Sequence, residues 1–163
     1  MFHQSGGKWV MENRTFYNEI LTEHNMNPEH KHKLMTYNKE MRGVNPSCGD
    51  KITLQLNVSD DGIIEDGSFI GDGCAISQAS ADMMLDLVIG RSIEEALSLK
   101  DTFLKMIKGK VSDEELEMLE EASALQDIAH MPSRVKCAVL GWHTLEEIFK
   151  EENQGREVST EDQ

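Results

Sequence analysis

Residues 51–59 have the sequence KITLQLNVS, in which apolar and polar side chains alternate. Neighbouring side chains of a β-strand point to opposite faces, so this pattern predicts a half-buried antiparallel strand. The apolar residues that would share its buried face are Ile52, Leu54, Leu56 and Val58. Asp60-Asp61-Gly62 is a turn signal, and a second strand is expected at 63–71.

The pattern becomes helical after residue 75, whereas a third, weaker strand is expected upstream at 35–42. Ser92 with Glu95, and Ser112 with Glu115, have the spacing of capping boxes at helix starts. Strands that precede helices indicate an α+β fold, a small three-stranded antiparallel sheet packed against several helices. Helices are expected at 13–24, at 75–89, at 93–108 with or without a break near Ser98, at 113–125 and at 133–152.

The composition places the chain among globular proteins and excludes several functions. Its 163 residues contain 16 Lys and Arg against 30 Asp and Glu, a net charge of −14. An acidic protein is a poor ligand for nucleic acid or for anionic membrane surfaces, and no apolar run approaches the roughly 20 residues of a membrane span. We therefore expect a cytoplasmic monomer with a flexible leader at 1–12, a single domain at 13–152 and an acidic disordered tail at 153–163.

The negative charge is concentrated in two segments. Residues 111–127 contain seven acidic residues and no Lys or Arg, and residues 144–163 contain seven acidic residues against two basic ones. We interpret both as solvated surface, with a docking surface for a basic partner protein as the alternative.

The three cysteines are the strongest functional signal. Cys48 is expected in a loop before a strand, Cys74 between a strand and a helix, and Cys137 in the first turns of the last helix. All three therefore lie at the ends of elements, where thiols are readily exposed. The odd number excludes complete pairing in disulfides and disfavours a disulfide scaffold.

Metal binding would give these thiols a shared role. Zinc usually takes four Cys, His or carboxylate ligands, so three cysteines leave one position open, for which Asp50 is the candidate. The helix dipole, together with Arg134 and Lys136, would favour a thiolate at Cys137. From spacing alone, three unrelated thiols remain an equal alternative. His24, His30 and His32 are interpreted as solvated loop residues, with a second metal site as the alternative.

The cysteine motifs resemble those of a known family. They are Asn-Pro-Ser-Cys-Gly-Asp at 45–50, Gly-Asp-Gly-Cys-Ala-Ile-Ser at 71–77 and Val-Lys-Cys-Ala-Val-Leu-Gly-Trp at 135–142. In order and context they resemble the IscU/NifU N-terminal family of iron–sulfur cluster assembly proteins, over residues 17 to 149. Lys136 stands where IscU has a His, and the longer gap from Cys74 to Cys137 also points to the SufU branch, with an IscU/SufE-like fold.

The resemblance implies a Zn²⁺ ion held by Cys48, Asp50, Cys74 and Cys137. It implies a SufS-type, pyridoxal-phosphate-dependent cysteine desulfurase as partner, a sulfurtransferase role, and Cys48 as the acceptor of persulfide sulfur. Arg134 is a candidate for steadying thiolate or persulfide charge. The alternatives are a scaffold that binds iron and assembles a transient [2Fe–2S] cluster on the same ligands, and a zinc-binding interaction module whose metal is only structural.

Overall fold

The computed structural model describes residues 19–150 and 157–160, which contain a four-stranded mixed sheet. The strand order is β3-β2-β1-β4. β1 pairs antiparallel with β2, β2 pairs antiparallel with β3, and β4 lies parallel to β1. The strands are β1 (Lys39–Asn45), β2 (Asp50–Val58), β3 (Ile64–Asp72) and β4 (Glu157–Ser159).

The predicted α+β class is confirmed, but the expected number of strands is wrong. The fourth strand, β4, comes from the segment that was expected to be a disordered tail. This strand forms because β1 has an unpaired edge, with which the backbone of 157–159 pairs. The predicted leader, the first residues of the 13–24 helix and the remainder of the predicted tail lie outside the described residues.

The helices follow most of the predicted boundaries. Both capping boxes form, at the starts of α3 and α4, and α3 runs without a break through Ser98. The last helix ends at Ile148 rather than at 152. The helices are α1 (19–26), α2 (Ala75–Val88), α3 (Ile93–Ile107), α4 (Asp113–Met118) and α5 (Pro132–Ile148).

The single helix expected at 113–125 is wrong. α4 stops at Met118, and a 3₁₀ segment follows it over Glu120–His130. Glu120 adopts a φ of 49°, in the left-handed region that interrupts a right-handed helix. Leu119, Ala122 and Leu125 of this segment are buried in the core.

The core lies between one face of the sheet and helices α2, α3 and α5. Ile52, Leu54 and Leu56 of β2 are almost completely buried, as the alternation predicted. Trp142 of α5 stacks on Phe103 of α3, with ring centroids 4.9 Å apart. Among the helices of the described residues, none is long and apolar enough to cross a membrane.

The first strand positions the site, and its predicted bounds were too early. β1 runs to Asn45 instead of ending at residue 42, because residues 43–45 continue the ladder against β2. Asn45 is consequently paired with Asp50, the first residue of β2, and 46–49 form the connection between the two strands.

Candidate metal centre

The β1–β2 connection carries Cys48 and leads directly into Asp50. The backbone N–H of Cys48 donates to the carbonyl oxygen of Asn45 at 3.3 Å, which closes the turn. Gly49 has a φ of 73°, a conformation that favours glycine, and allows the chain to reverse between the two candidate ligands. Cys48 is exposed, whereas Asp50 has only 1 % of its surface exposed.

Cys74 lies at the N-terminus of α2 and is tied to the same carboxylate. Its backbone N–H donates to Asp50 Oδ1 at 2.8 Å. The preceding Gly73 makes this approach possible, because a Cβ at that position would lie 2.6 Å from Asp50 Oδ1. The second glycine of the Gly-Asp-Gly-Cys motif is thus explained by the close approach of the Asp50 carboxylate, which leaves no space for a side chain.

Cys137 is the innermost of the three thiols. It lies in the second turn of α5 and is completely buried. Its Sγ lies 3.4 Å from Cys48 Sγ and 3.5 Å from the side-chain nitrogen of Asn45. The prediction that all three thiols are exposed at element ends is therefore wrong for Cys137, because α5 packs its second turn into the sheet.

The electrostatics of Cys137 also differ from the prediction of a stabilised thiolate. Burial raises the pKa of the Cys137 thiol well above its ordinary value, and hydrogen bonding with Cys48, Cys74 and Asp50 raises it further. Desolvation and the interactions within the cluster therefore favour the neutral thiol at this position. A metal cation would reverse this balance, because a coordinated thiol loses its proton.

The donor set fits a metal ion. Ligand atoms of Cys48, Asp50 and Cys137 all lie within 4.8 Å of one another. Two thiolates on tetrahedral zinc, with Zn–S bonds of about 2.3 Å, would have sulfurs about 3.8 Å apart, close to the observed 3.4 Å. Cys74 is outside this compact set, and it is joined to the cluster through the hydrogen bond from its backbone N–H to Asp50 Oδ1.

Arg134 lies apart from this network. It is exposed in the first turn of α5, three residues before Cys137. Within the described residues its guanidinium makes no hydrogen bond or ion pair. The structure therefore places it near the site along the chain without a direct contact to the cluster.

Two residues of the site were missed by the sequence analysis. Asn45 is completely buried and donates to Asp50 Oδ2 at 3.0 Å, and its Oδ1 accepts from Thr160 Oγ1 at 3.1 Å. The motif around Cys48 contained Asn45, but the residue was assigned to the loop. Thr160 gave no signal, because it lies in a polar tail without periodicity.

The histidine prediction is wrong for His24, which is buried instead of solvated. Its Nδ1 lies 2.6 Å from Asp82 Oδ2, and its Nε2 lies 2.7 Å from Glu121 Oε1. The hydrogen bond with Asp82 is the main cause that raises the pKa of His24 to about 9, against the opposing effect of burial. His30 is partly buried beside Asp86, and His32 is exposed as predicted.

Comparisons with known proteins agree with these features. Residues 16–154 match the family described as the NifU-like N terminal domain. The chain is 41 % identical to the zinc-dependent sulfurtransferase SufU of Bacillus subtilis (strain 168), over 85 % of this chain and 92 % of that protein. It is 41 % identical to the iron–sulfur cluster assembly scaffold protein IscU of Streptococcus pyogenes serotype M1, over 82 % of each chain.

A solved structure supports the same relationship. It belongs to a protein from Fervidobacterium islandicum AW-1, described as a candidate iron–sulfur cluster assembly scaffold for the SUF system. The TM-score is 0.76 at 36 % sequence identity, with 84 % of this chain and 98 % of that chain covered.

Proposed function

This chain belongs to the family of NifU-like N-terminal domains, and from that premise we propose that it is an iron–sulfur cluster assembly protein that accepts and relays persulfide sulfur. The donor is a cysteine desulfurase of the SufS type, and the transfer takes place in the cytoplasm. One relative is named a zinc-dependent sulfurtransferase, which supports this activity over a purely structural role.

The single observation that carries the proposal is the graded exposure of the clustered thiols. Cys48 is exposed on a tight turn, Cys74 is intermediate, and Cys137 is buried 3.4 Å behind Cys48. A donor persulfide on another protein can approach only an exposed thiol. Cys48 is therefore the acceptor, and the other two cysteines are the fixed part of the centre.

Zinc is the metal that suits the centre, with Cys48, Asp50, Cys74 and Cys137 as its ligands. When bound, zinc would keep the thiols deprotonated at neutral pH, which the buried and anionic surroundings of Cys137 otherwise oppose. Asp50 is a harder ligand than a thiolate and binds zinc less strongly. Such a centre is less permanently closed than one of four cysteines.

The transfer itself is a thiol–disulfide type exchange. The Cys48 thiolate attacks the terminal sulfur of the donor persulfide, and a new S–S bond forms on Cys48. The S–S bond of the donor breaks, and the donor cysteine leaves as a thiolate. The proton of the persulfide stays on the transferred sulfur, so the exchange needs no oxidant or reductant.

Arg134 would assist by its charge. Its guanidinium is exposed at the start of α5, on the same helix as Cys137. In an acidic protein, this cation is placed to attract an incoming persulfide or thiolate anion.

The test is a desulfurase assay in which alanine release from cysteine is followed with and without this protein. We expect strong stimulation by the zinc form and none by Cys48→Ser, which keeps a similar shape but lacks the nucleophilic sulfur. Asp61→Ala, in the exposed turn of the other hairpin, should stimulate like the wild type. Equal stimulation by Cys48→Ser and the wild type would refute Cys48 as the acceptor.

The second candidate function is a scaffold for a transient [2Fe–2S] cluster, favoured by the relatives named scaffold proteins. The same four residues would then hold the cluster as cargo. Stable cluster absorption after anaerobic reconstitution, together with no stimulation of the desulfurase, would establish the scaffold and exclude the relay. A merely structural zinc would leave alanine release unchanged and bind no cluster.

A further inference from the structure

Asn45 contacts three parts of the candidate centre at once. Its side-chain nitrogen donates to Asp50 Oδ2 at 3.0 Å and to Cys137 Sγ at 3.5 Å. Its backbone oxygen accepts from the N–H of Cys48 at 3.3 Å. Both hydrogens of the amide are therefore directed at proposed ligands, and neither is left for solvent.

These contacts fix the carboxylate of Asp50 at both oxygens. The Cys74 N–H binds Oδ1, and the Asn45 amide binds Oδ2. A carboxylate held in this way presents its remaining lone pairs in one direction. Hydrogen bonds of this kind, from residues that do not bind the metal, orient the ligands that do.

The orientation of the Asn45 amide depends on a residue far away in the sequence. Asn45 Oδ1 accepts a hydrogen bond from Thr160 Oγ1 at 3.1 Å. An amide rotated by half a turn would direct its oxygen at the Asp50 carboxylate, where two acceptors repel each other. The Thr160 hydroxyl donates to the amide oxygen, and it therefore favours the rotamer in which the amide nitrogen faces Asp50 and Cys137.

Strand β4 brings Thr160 to this place. The parallel register pairs Gly43 with Val158 and Val44 with Ser159. The residues that follow these pairs, Asn45 and Thr160, therefore lie side by side. Arg42 pairs with Glu157 at 3.0 Å, and Thr160 has only 2 % of its surface exposed. The end of β4 is therefore buried beside the candidate metal centre.

We infer that Asn45 is a positioning residue of the metal centre, and that β4 sets its orientation through Thr160. Docking of β4 on β1 thereby determines how tightly the centre holds its metal. This inference rests on the proposed function only in its assumption that the four residues bind zinc. It assigns a role to the segment 157–160, which contains none of the four proposed zinc ligands.

The test is zinc affinity, measured on the full chain by competition with a chromogenic chelator. We expect Asn45→Ala and Thr160→Val to weaken zinc binding by about 10- to 100-fold, the usual effect of removing a group that orients a ligand. Thr160→Ser keeps the hydroxyl and should bind zinc like the wild type. The visible absorption of the cobalt-loaded protein should shift in the two weakened variants, because it reports ligand geometry.

The matched control is Thr102→Val, which also removes a threonine hydroxyl with little exposure. The Thr102 hydroxyl donates to the Ser98 carbonyl within α3, so its loss should leave zinc affinity and the cobalt spectrum unchanged. If Asn45→Ala does not fold, Thr160→Val alone decides. Wild-type zinc affinity in Thr160→Val would overturn the inference.

The outcome is separable from that of the proposed function. Weakened zinc binding in these variants, in a protein that accepts no sulfur, would refute the relay and leave the positioning role intact. Normal sulfur transfer with unchanged zinc affinity in both variants would refute the positioning role and leave the relay intact.

Discussion

Replacing His24 with Gln should destabilise the protein near pH 6 and progressively less so as the pH rises to 9.5. His24 is buried between Asp82 and Glu121, which both accept from its ring nitrogens. Gln keeps an amide that can form hydrogen bonds, but it carries no charge. The variant therefore isolates the contribution of the imidazolium.

The magnitude follows from the raised pKa. The pKa of His24 is raised to about 9 from its ordinary 6.5, first by the hydrogen bond with Asp82. Since one pH unit of pKa difference corresponds to about 1.4 kcal/mol, the imidazolium contributes on the order of 3 kcal/mol to the free energy of unfolding. This contribution is complete below pH 6.5, because both states are then protonated, and it is lost as the pH rises through about 9.

The assay is urea-induced unfolding of wild type and His24→Gln at several pH values from 6 to 9.5. Both proteins are kept saturated with zinc, so the pH dependence of metal binding cancels in the difference. We expect the difference in the free energy of unfolding to fall by about 3 kcal/mol across this range. His32→Gln, in the exposed connector, should show no such change.

A difference between wild type and His24→Gln that does not depend on pH would refute this reasoning. It would mean that His24 is neutral in the folded state and acts only through the shape of its contacts. A difference that grows with pH would also contradict it, because only a depressed pKa gives that sign.

Three further predictions concern the centre and the helices. Gly73→Ala should lower zinc affinity in chelator competition, because the added methyl would lie 2.6 Å from Asp50 Oδ1 and displace that carboxylate. Removing zinc with a chelator should lower the melting temperature in calorimetry, since metal at 1,000 times its dissociation constant adds about 4 kcal/mol to stability. Ser92→Ala should lower the free energy of unfolding by about 1 kcal/mol without changing zinc affinity, because it removes the cap of α3.

The structure could be predicted from the sequence where a local pattern determines it. The alternation in 51–59 gave β2 within one residue, and the spacing of Ser92 to Glu95 gave the start of α3. Both signals are local, since a strand or a cap is decided by residues within a few positions of each other.

Features that depend on distant partners could not be predicted in this way. The burial of His24 requires Asp82, which lies 58 positions away, and β4 requires the free edge of β1. The local sequence favours a longer helix, and the break after α4 lies at Glu120, whose φ of 49° no local signal marks. For the same reason, the motifs identified the candidate ligands but gave no signal for the link from Asn45 to Thr160.

The central claim is that Cys48 receives the sulfur, and mass spectrometry of the protein after reaction tests it most directly. The zinc form is incubated with a SufS-type desulfurase and cysteine, alkylated and digested. We expect one additional sulfur atom on the peptide that contains Cys48, and none on the peptides with Cys74 or Cys137. Sulfur on either of those two cysteines in place of Cys48, or on none of the three, would contradict the account.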